Sequence, residues 1–187
     1  MYVDVSHLLA YPRMNSHLVG MISSTDGSVQ TLGRTELDLY DNMLVFGSQC
    51  YFISHSSREA TVNAFSDLVG SINSELIVDV AVMYDCLNTQ RTYIIIAINV
   101  LHVPSMKHNL IPPFVMREAG LVVNDTEMIH VKDTSHEYYS IYDDKTGLRI
   151  LLQLSGVFLY FQTRKPSIED LTNDTTQAVM LTPEGPS

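Results

Sequence analysis

Few side chains in this sequence are spaced for chemistry, and the clearest are two carboxylates. Asp38 falls in a stretch, Thr35 to Leu39, that alternates polar and apolar residues only in part and reads as a strand end, and the turn-formers Asp41 and Asn42 follow it. A carboxylate at the end of a buried strand is costly unless it is paired or hydrogen-bonded, so it needs a reason. The local reason is an Asx-type turn, in which the aspartate bonds its own backbone. The functional reason is a catalytic carboxylate whose protonation is set by its surroundings.

The other reactive residue types form no comparable pattern. The histidines (His7, His17, His55, His102, His108, His130 and His136) are not spaced as HExxH, and none pairs with a cysteine at zinc-finger spacing. Neither a metal nor a cofactor is therefore expected. His102 lies on a strand-like segment and reads as a packed or edge histidine. A Gly-x-Ser-x-Gly elbow and a Gly-rich phosphate loop are both missing. Cys50 and Cys86 read as buried free thiols. The ten tyrosines, Tyr138, Tyr139 and Tyr142 among them, read as strand packing.

Composition bounds the partners. The net charge is −10 and the 11 Lys and Arg are scattered, which argues against a surface that neutralises phosphates. The hydrophobic fraction of 45% with 17% charged residues supports a sizeable core. No stretch is long enough for a transmembrane helix, and the N-terminal apolar run His7 to Tyr11 lacks a basic flank, so an intracellular, cytoplasmic protein without membrane contact is expected.

The elements that must position Asp38 are short strands. Tyr93-Ile94-Ile95-Ile96-Ala97-Ile98 reads as a buried strand, interrupted at Asn99 and carried on by Val100 to Val103. Pro104 ends its pairing. Pro104 to Asn109 reads as a loop. A short helix follows, with Pro112 and Pro113 in its first turn, Phe114, Val115 and Ala119 inward, and Gly120 at its end. Leu121-Val122-Val123 starts another strand. Leu76 to Tyr84 and Arg91 to Asn99 form the best hairpin in the chain. Met43 to Phe46, Cys50 to Ile53, Thr61 to Phe65, Glu127 to Val131, Glu137 to Tyr142, Leu148 to Leu154 and Gly156 to Phe161 read as further strands, with a loop over Ser66 to Asn73 and a turn at Asp143 to Gly147. Asp79 faces solvent or is satisfied within the sheet. Ser167 could cap a single helical turn. The expected architecture is all-β, a small closed barrel with one short helix. Residues 1–33 are a leader or linker, in which His17 to Ser23 and Val29 to Leu32 could form a hairpin. Residues 34–165 are the barrel, and 166–187 a polar, mobile tail.

A resemblance enters at this point. Asn99-Val100-Leu101-His102-Val103-Pro104-Ser105-Met106-Lys107-His108-Asn109-Leu110-Ile111 resembles the second half of the retropepsin-like aspartic protease in copia-type LTR retrotransposon polyproteins. In that family a strand ends in a Leu-x-Val-Pro turn, runs through Asn-Leu-Ile, and enters a short helix ending at Gly. Ile111 to Gly120 followed by Leu121-Val122-Val123 is similar to that continuation. Glu36-Leu37-Asp38 with Asn42-Met43 and Gly47 stands at the matching distance before it, and the closing Leu148 to Gly156 and Phe161 to Pro166 also resemble the family. The resemblance covers about Thr35 to Pro166.

It implies a retropepsin-like (acid protease) barrel, a homodimer, a peptide or polyprotein substrate, and Asp38 as the catalytic aspartate. One carboxylate from each copy would meet and share a proton, because two like charges in contact cannot both ionise. The ionised member would take a proton from water and the protonated one would polarise the peptide carbonyl. The sequence departs from the family just after Asp38. The family carries Asp-Ser-Gly or Asp-Thr-x-Ala, where the hydroxyl locks the two loops together and the small residue lets the backbones approach. Leu39 and Tyr40 stand there instead, and Asp41 adds a further acid. An active polyprotein-processing peptidase, a degenerate inactive relic of one, and a non-catalytic dimerisation or protein-binding module all remain open. A third class, a ligand-binding barrel, requires an apolar cavity lined by Tyr93, Ile95 and Phe158.

Overall fold

A computed structural model describes residues 32–39, 41–63, 71–125 and 139–183. The apolar run that starts at Tyr93 forms the centre of β5 (Arg91–His102). Its side chains are buried on both faces because two separate clusters meet there. Tyr93, Ile95 and Ala97 join the main core, whereas Ile94 and Ile96 pack with Ala81 and Met83 in a second, smaller one. The partner is β4 (Ser71–Cys86), antiparallel from Cys86 opposite Arg91 to Leu76 opposite His102. The expected hairpin is therefore present and longer than its apolar pattern. Asn99 interrupts it with a φ of +57°, a left-handed conformation that Asn tolerates better than most residues. The register shifts opposite it, between Val78 and Val80, as a bulge. Asp79 is satisfied in the sheet: its carboxylate accepts from the Asn99 amide at 2.9 Å and from the Ser54 hydroxyl.

Six strands close a ring. From β4 and β5 it passes to β2 (Val45–Phe46), β6 (His108–Ile111), β1 (Leu32–Leu37) and β11 (Phe158–Arg164). Arg164 opposite Met83 returns β11 to β4. The protein is thus mostly β, with a small closed barrel. β1 runs parallel to β6 and antiparallel to β11. β3 (Tyr51–Asn63) flanks β4, and β10 (Gln153–Ser155) flanks β11. A separate three-stranded sheet of β7 (Val122–Asn124), β8 (Ser140–Asp143) and β9 (Leu148–Leu151) adds Val123, Ile141, Leu148 and Ile150 to the main core. Among the described residues no helix is long and apolar enough to cross a membrane.

Several expectations need correction. His108 and Asn109 belong to β6, not to a loop, because β1 supplies a parallel neighbour that their polar composition did not announce. In the short helix α1 (Pro113–Glu118) Val115 packs against the core as expected, but it is Met116 that is fully buried, 0% exposed, while Phe114 is 44% exposed. Gly120 does end it, at φ +90°. The strand expected over Leu148 to Leu154 breaks into β9 and β10 at Leu152, whose amide turns aside to the Tyr139 carbonyl. Leu32 and Gly33, assigned to the leader, are the first residues of β1, and Ser71 to Asn73, assigned to a loop, open β4. The hairpin expected before Leu32, the strand Glu127 to Val131 and the middle of the loop at Ser66 to Gly70 lie outside the described residues.

The largest correction is at the C-terminus. In place of a polar tail from 166 there is a second short helix, α2 (Ile168–Thr172), and then β12 (Gln177–Met180), parallel to β5. Ser167 caps α2 in a reciprocal box with Asp170, as the sequence suggested for Ser167. Arg164 holds both sides of this joint. Its guanidinium makes two bonds to Asp85 (2.7 and 3.2 Å) and two to Asp170 (2.5 and 2.9 Å). That cation, ahead of the Ser167 bonds, holds the Asp170 carboxyl down at about 2.

Beneath the barrel surface three strands and the residue that follows β2 are joined by polar groups. The Thr163 and Thr35 hydroxyls lie 3.0 Å apart, the Asn109 side-chain amide donates to Thr35 at 3.1 Å, and the Gly47 backbone amide donates to the Asn109 carbonyl oxygen at 3.0 Å. All three side chains are buried. Gly47 is needed at its end of this chain, because a Cβ there would come within 2.8 Å of the Met106 carbonyl carbon. Two substitutions test the arrangement by urea unfolding. Thr35→Val strands the Asn109 donor and is expected to cost about 1–3 kcal/mol. Gly47→Ala is expected to cost a similar amount, about 1–3 kcal/mol, by overpacking against Met106. Unchanged midpoints for both would mean that the chain contributes nothing to stability.

Candidate active site

β1 and β6 end together, with Leu37 opposite Ile111. The next residue on one strand is Asp38. The other continues through Pro112, which has no amide to offer, into α1. The last bond between the two strands is made by Asp38 itself, whose backbone amide donates to the Ile111 carbonyl at 3.1 Å. Asp38 therefore stands on the barrel rim, half-buried, where the parallel pair meets the helix. The alternating burial of β1, with Thr35 and Leu37 inward, decides which residue reaches the rim.

The loop after Asp38 returns to β2 through Leu44, which is buried and whose carbonyl accepts from the Leu101 amide at 2.9 Å. Between these fixed ends lie Leu39, 70% exposed, and Asp41, half-buried. Burial, and then the negative charge of Asp38, push the Asp41 carboxyl above the ordinary value of 3.8. One of its oxygens, Oδ2, is buried with no hydrogen-bond partner among the described residues. The structure thus brings two acids together at the rim. Asp38 was expected as the site residue, and Asp41 acquires its character from the loop. Leu39, which stands where the resemblance would expect a hydroxyl, faces solvent, and Tyr40 lies outside the described residues. The residues that set this geometry from below, Thr35, Asn109 and Thr163, carried no signal except the polar interruption at Asn109.

The remaining candidates have structural roles. His102 meets the Phe52 ring edge-on at 4.5 Å, and burial pushes its pKa below the usual histidine value. Among the described residues, no three of His, Cys, Asp and Glu converge to hold a metal ion. Cys50 and Cys86 are free and buried, as expected. The Cys50 thiol donates to the Gly47 carbonyl at 3.3 Å, and burial pushes it up to about 11, so it is a poor nucleophile. Tyr93 and Ile95 lie in the core while Phe158 is 47% exposed, so these three do not line a common cavity.

No protein-family model matches the chain, and no curated protein or solved structure matches it significantly.

The raised carboxyl has a consequence for stability. The folded state holds the Asp41 proton more tightly than the unfolded chain does. Its contribution is therefore lost as pH rises above 3.8, and the ionised group destabilises the fold at neutral pH. Asp41→Asn is expected to match or exceed the parent stability at pH 7, with the two proteins converging as pH falls below 3.8. Urea midpoints across that range provide the measurement. A variant clearly weaker at pH 7 would mean that the carboxylate is engaged by a donor.

Proposed function

We propose that this barrel is a retropepsin-like aspartic endopeptidase domain of a retroelement polyprotein, with Asp38 as its catalytic carboxylate. The observation that carries the reading is the bond from the Asp38 amide to Ile111, which ties an acid to the rim of a closed barrel at the entry to its short helix. The β1–β6–α1 order around it fits the resemblance of Asn99 to Gly120. In this reading the working form is a homodimer and the substrate an extended peptide or polyprotein segment. The two Asp38 carboxylates share one proton: the ionised one deprotonates the attacking water and the protonated one polarises the scissile carbonyl. The domain is intracellular, contacts no nucleic acid and needs no cofactor.

A second reading, a degenerate non-catalytic dimerisation or protein-binding module, is favoured by one observation. Leu39 is 70% exposed beside Asp38 and has no group with which to bond across a dimer. The test is cleavage of a mixed peptide library at acidic pH together with sizing chromatography. Active protein whose rate falls about 10²–10⁴-fold in Asp38→Asn supports the peptidase. Equal rates in the two proteins remove Asp38 from the mechanism. A dimer without any cleavage supports the module.

A further inference from the structure

The ring of six paired strands is complete without β12. Among the described residues that strand pairs only with β5, in parallel, with Gln177 opposite Tyr93 and Met180 opposite Ile96. The free edge it covers exists because β2 is only two residues long and pairs β5 at Leu101 and His102 alone. β12 fills the remainder of that edge as a strand ligand would. Alternate side chains go to opposite sides. Val179 and Leu181 enter the main core, while Ala178 and Met180 cover the second cluster of Ala81, Met83, Ile94 and Ile96. Backbone bonds complete the seat: the Leu181 amide donates to the Ile96 carbonyl at 2.8 Å, and the Ile98 amide donates to the Thr182 hydroxyl at 3.0 Å.

The connection to the barrel has a different character. α2 fully buries no residue; it is held by the Arg164–Asp170 pair, by its own cap and by half-buried Leu171, which packs against the second cluster. The strap is thus anchored at its strand end by the buried Val179 and Leu181 and held at its helix end by an ion pair and one half-buried leucine, with an exposed turn at Asn173 to Thr175 between them.

We propose that the edge of β5 from Tyr93 to Ile98 is a strand-addition site for an extended, uncharged peptide with branched apolar residues two positions apart, and that residues 167–182 occupy it in cis as a latch that lifts while the barrel stays closed. The occupant on view defines the partner chemistry. Two inward apolar side chains are required, small or flexible ones fit the outer cluster, and a hydroxyl after the second anchor receives the Ile98 amide. A charge at either anchor would be buried without a counter-ion. This inference is independent of any role for Asp38.

Two measurements on the full chain test it. In native-state hydrogen exchange, the amides of Leu181 and Ile98 are expected to exchange at least about tenfold faster than those of the β4–β5 ladder, because they open locally. Exchange at the ladder rate would overturn the proposal. In the second, a fluorescent peptide spanning Thr175 to Pro183 is titrated into the parent and into full-length Val179→Asp, whose own strand is disfavoured. The peptide is expected to bind the variant at least about tenfold more tightly, since in the parent the tethered strand competes at high effective concentration. A peptide carrying Leu181→Asp should not bind. Failure of the unmodified peptide to bind a folded variant would overturn the proposal, and if that variant does not fold the exchange result decides alone.

Discussion

The buried hydrogen bonds running from Thr163 through Thr35 and Asn109 to Gly47 are the constraint on which the site depends. Each group is out of water, so each must find its partner inside or leave a donor or acceptor unsatisfied. Only one register of β1 against β6 and β11 meets that condition, because a slip of one residue would turn Thr35 outward. Hydrophobic burial alone would not choose so sharply, since the inward positions of β1 are occupied by a glycine, a threonine and a single leucine. With the register set, Leu37 meets Ile111 and Asp38 becomes the residue that closes the pair. The position of the acid is therefore inherited from polar chemistry several residues earlier in the strand.

The same economy appears around β5. A strand buried on both faces needs cover on both, and the chain supplies it from unrelated regions. β1, β6, α1 and β11 contribute to the main core, while the C-terminal segment contributes to both, with Val179 and Leu181 in the main core and Ala178 and Met180 on the smaller cluster. The bulge at Asn99 brings its amide onto Asp79, which also accepts from Ser54 on β3. A carboxylate in the middle of an apolar strand is tolerated because it joins three strands through two donors.

What could be read from the sequence followed physical range. The β4–β5 hairpin, the turn at Asp143, the positive φ at Gly120 and the cap at Ser167 are local, and each was visible in a few adjacent residues. Asp38 at a strand end was visible for the same reason. Asn109 was misread because its partners, Thr35 and Gly47, are distant in sequence, and a polar residue after a proline turn looks like loop until they are known. On α1 Val115 was legible, but Phe114 was set inward and Met116 missed, because a helix of six residues has too few apolar positions to define a stripe. β12 was missed because four strand residues amid threonines, an asparagine and an aspartate fall below the composition that marks a core element. The environment of Asp41 could not be read at all, since it is made by the fold of the loop around it.

The antiparallel pairing of β1 with β11 also governs how the protein comes to exist. Leu37 lies opposite Leu159, and Leu32 opposite Arg164, so the first barrel strand must wait for the last. At ribosomal speeds of about 5–20 residues per second, that wait is on the order of ten seconds. During it, Thr35 and Leu37 have no neighbour on that side, while the β4–β5 hairpin can already form. The nascent chain should therefore mature from its middle outward: Asp38 can bond Ile111 once β6 has emerged, but β1 gains its second neighbour only when synthesis of the barrel is nearly done.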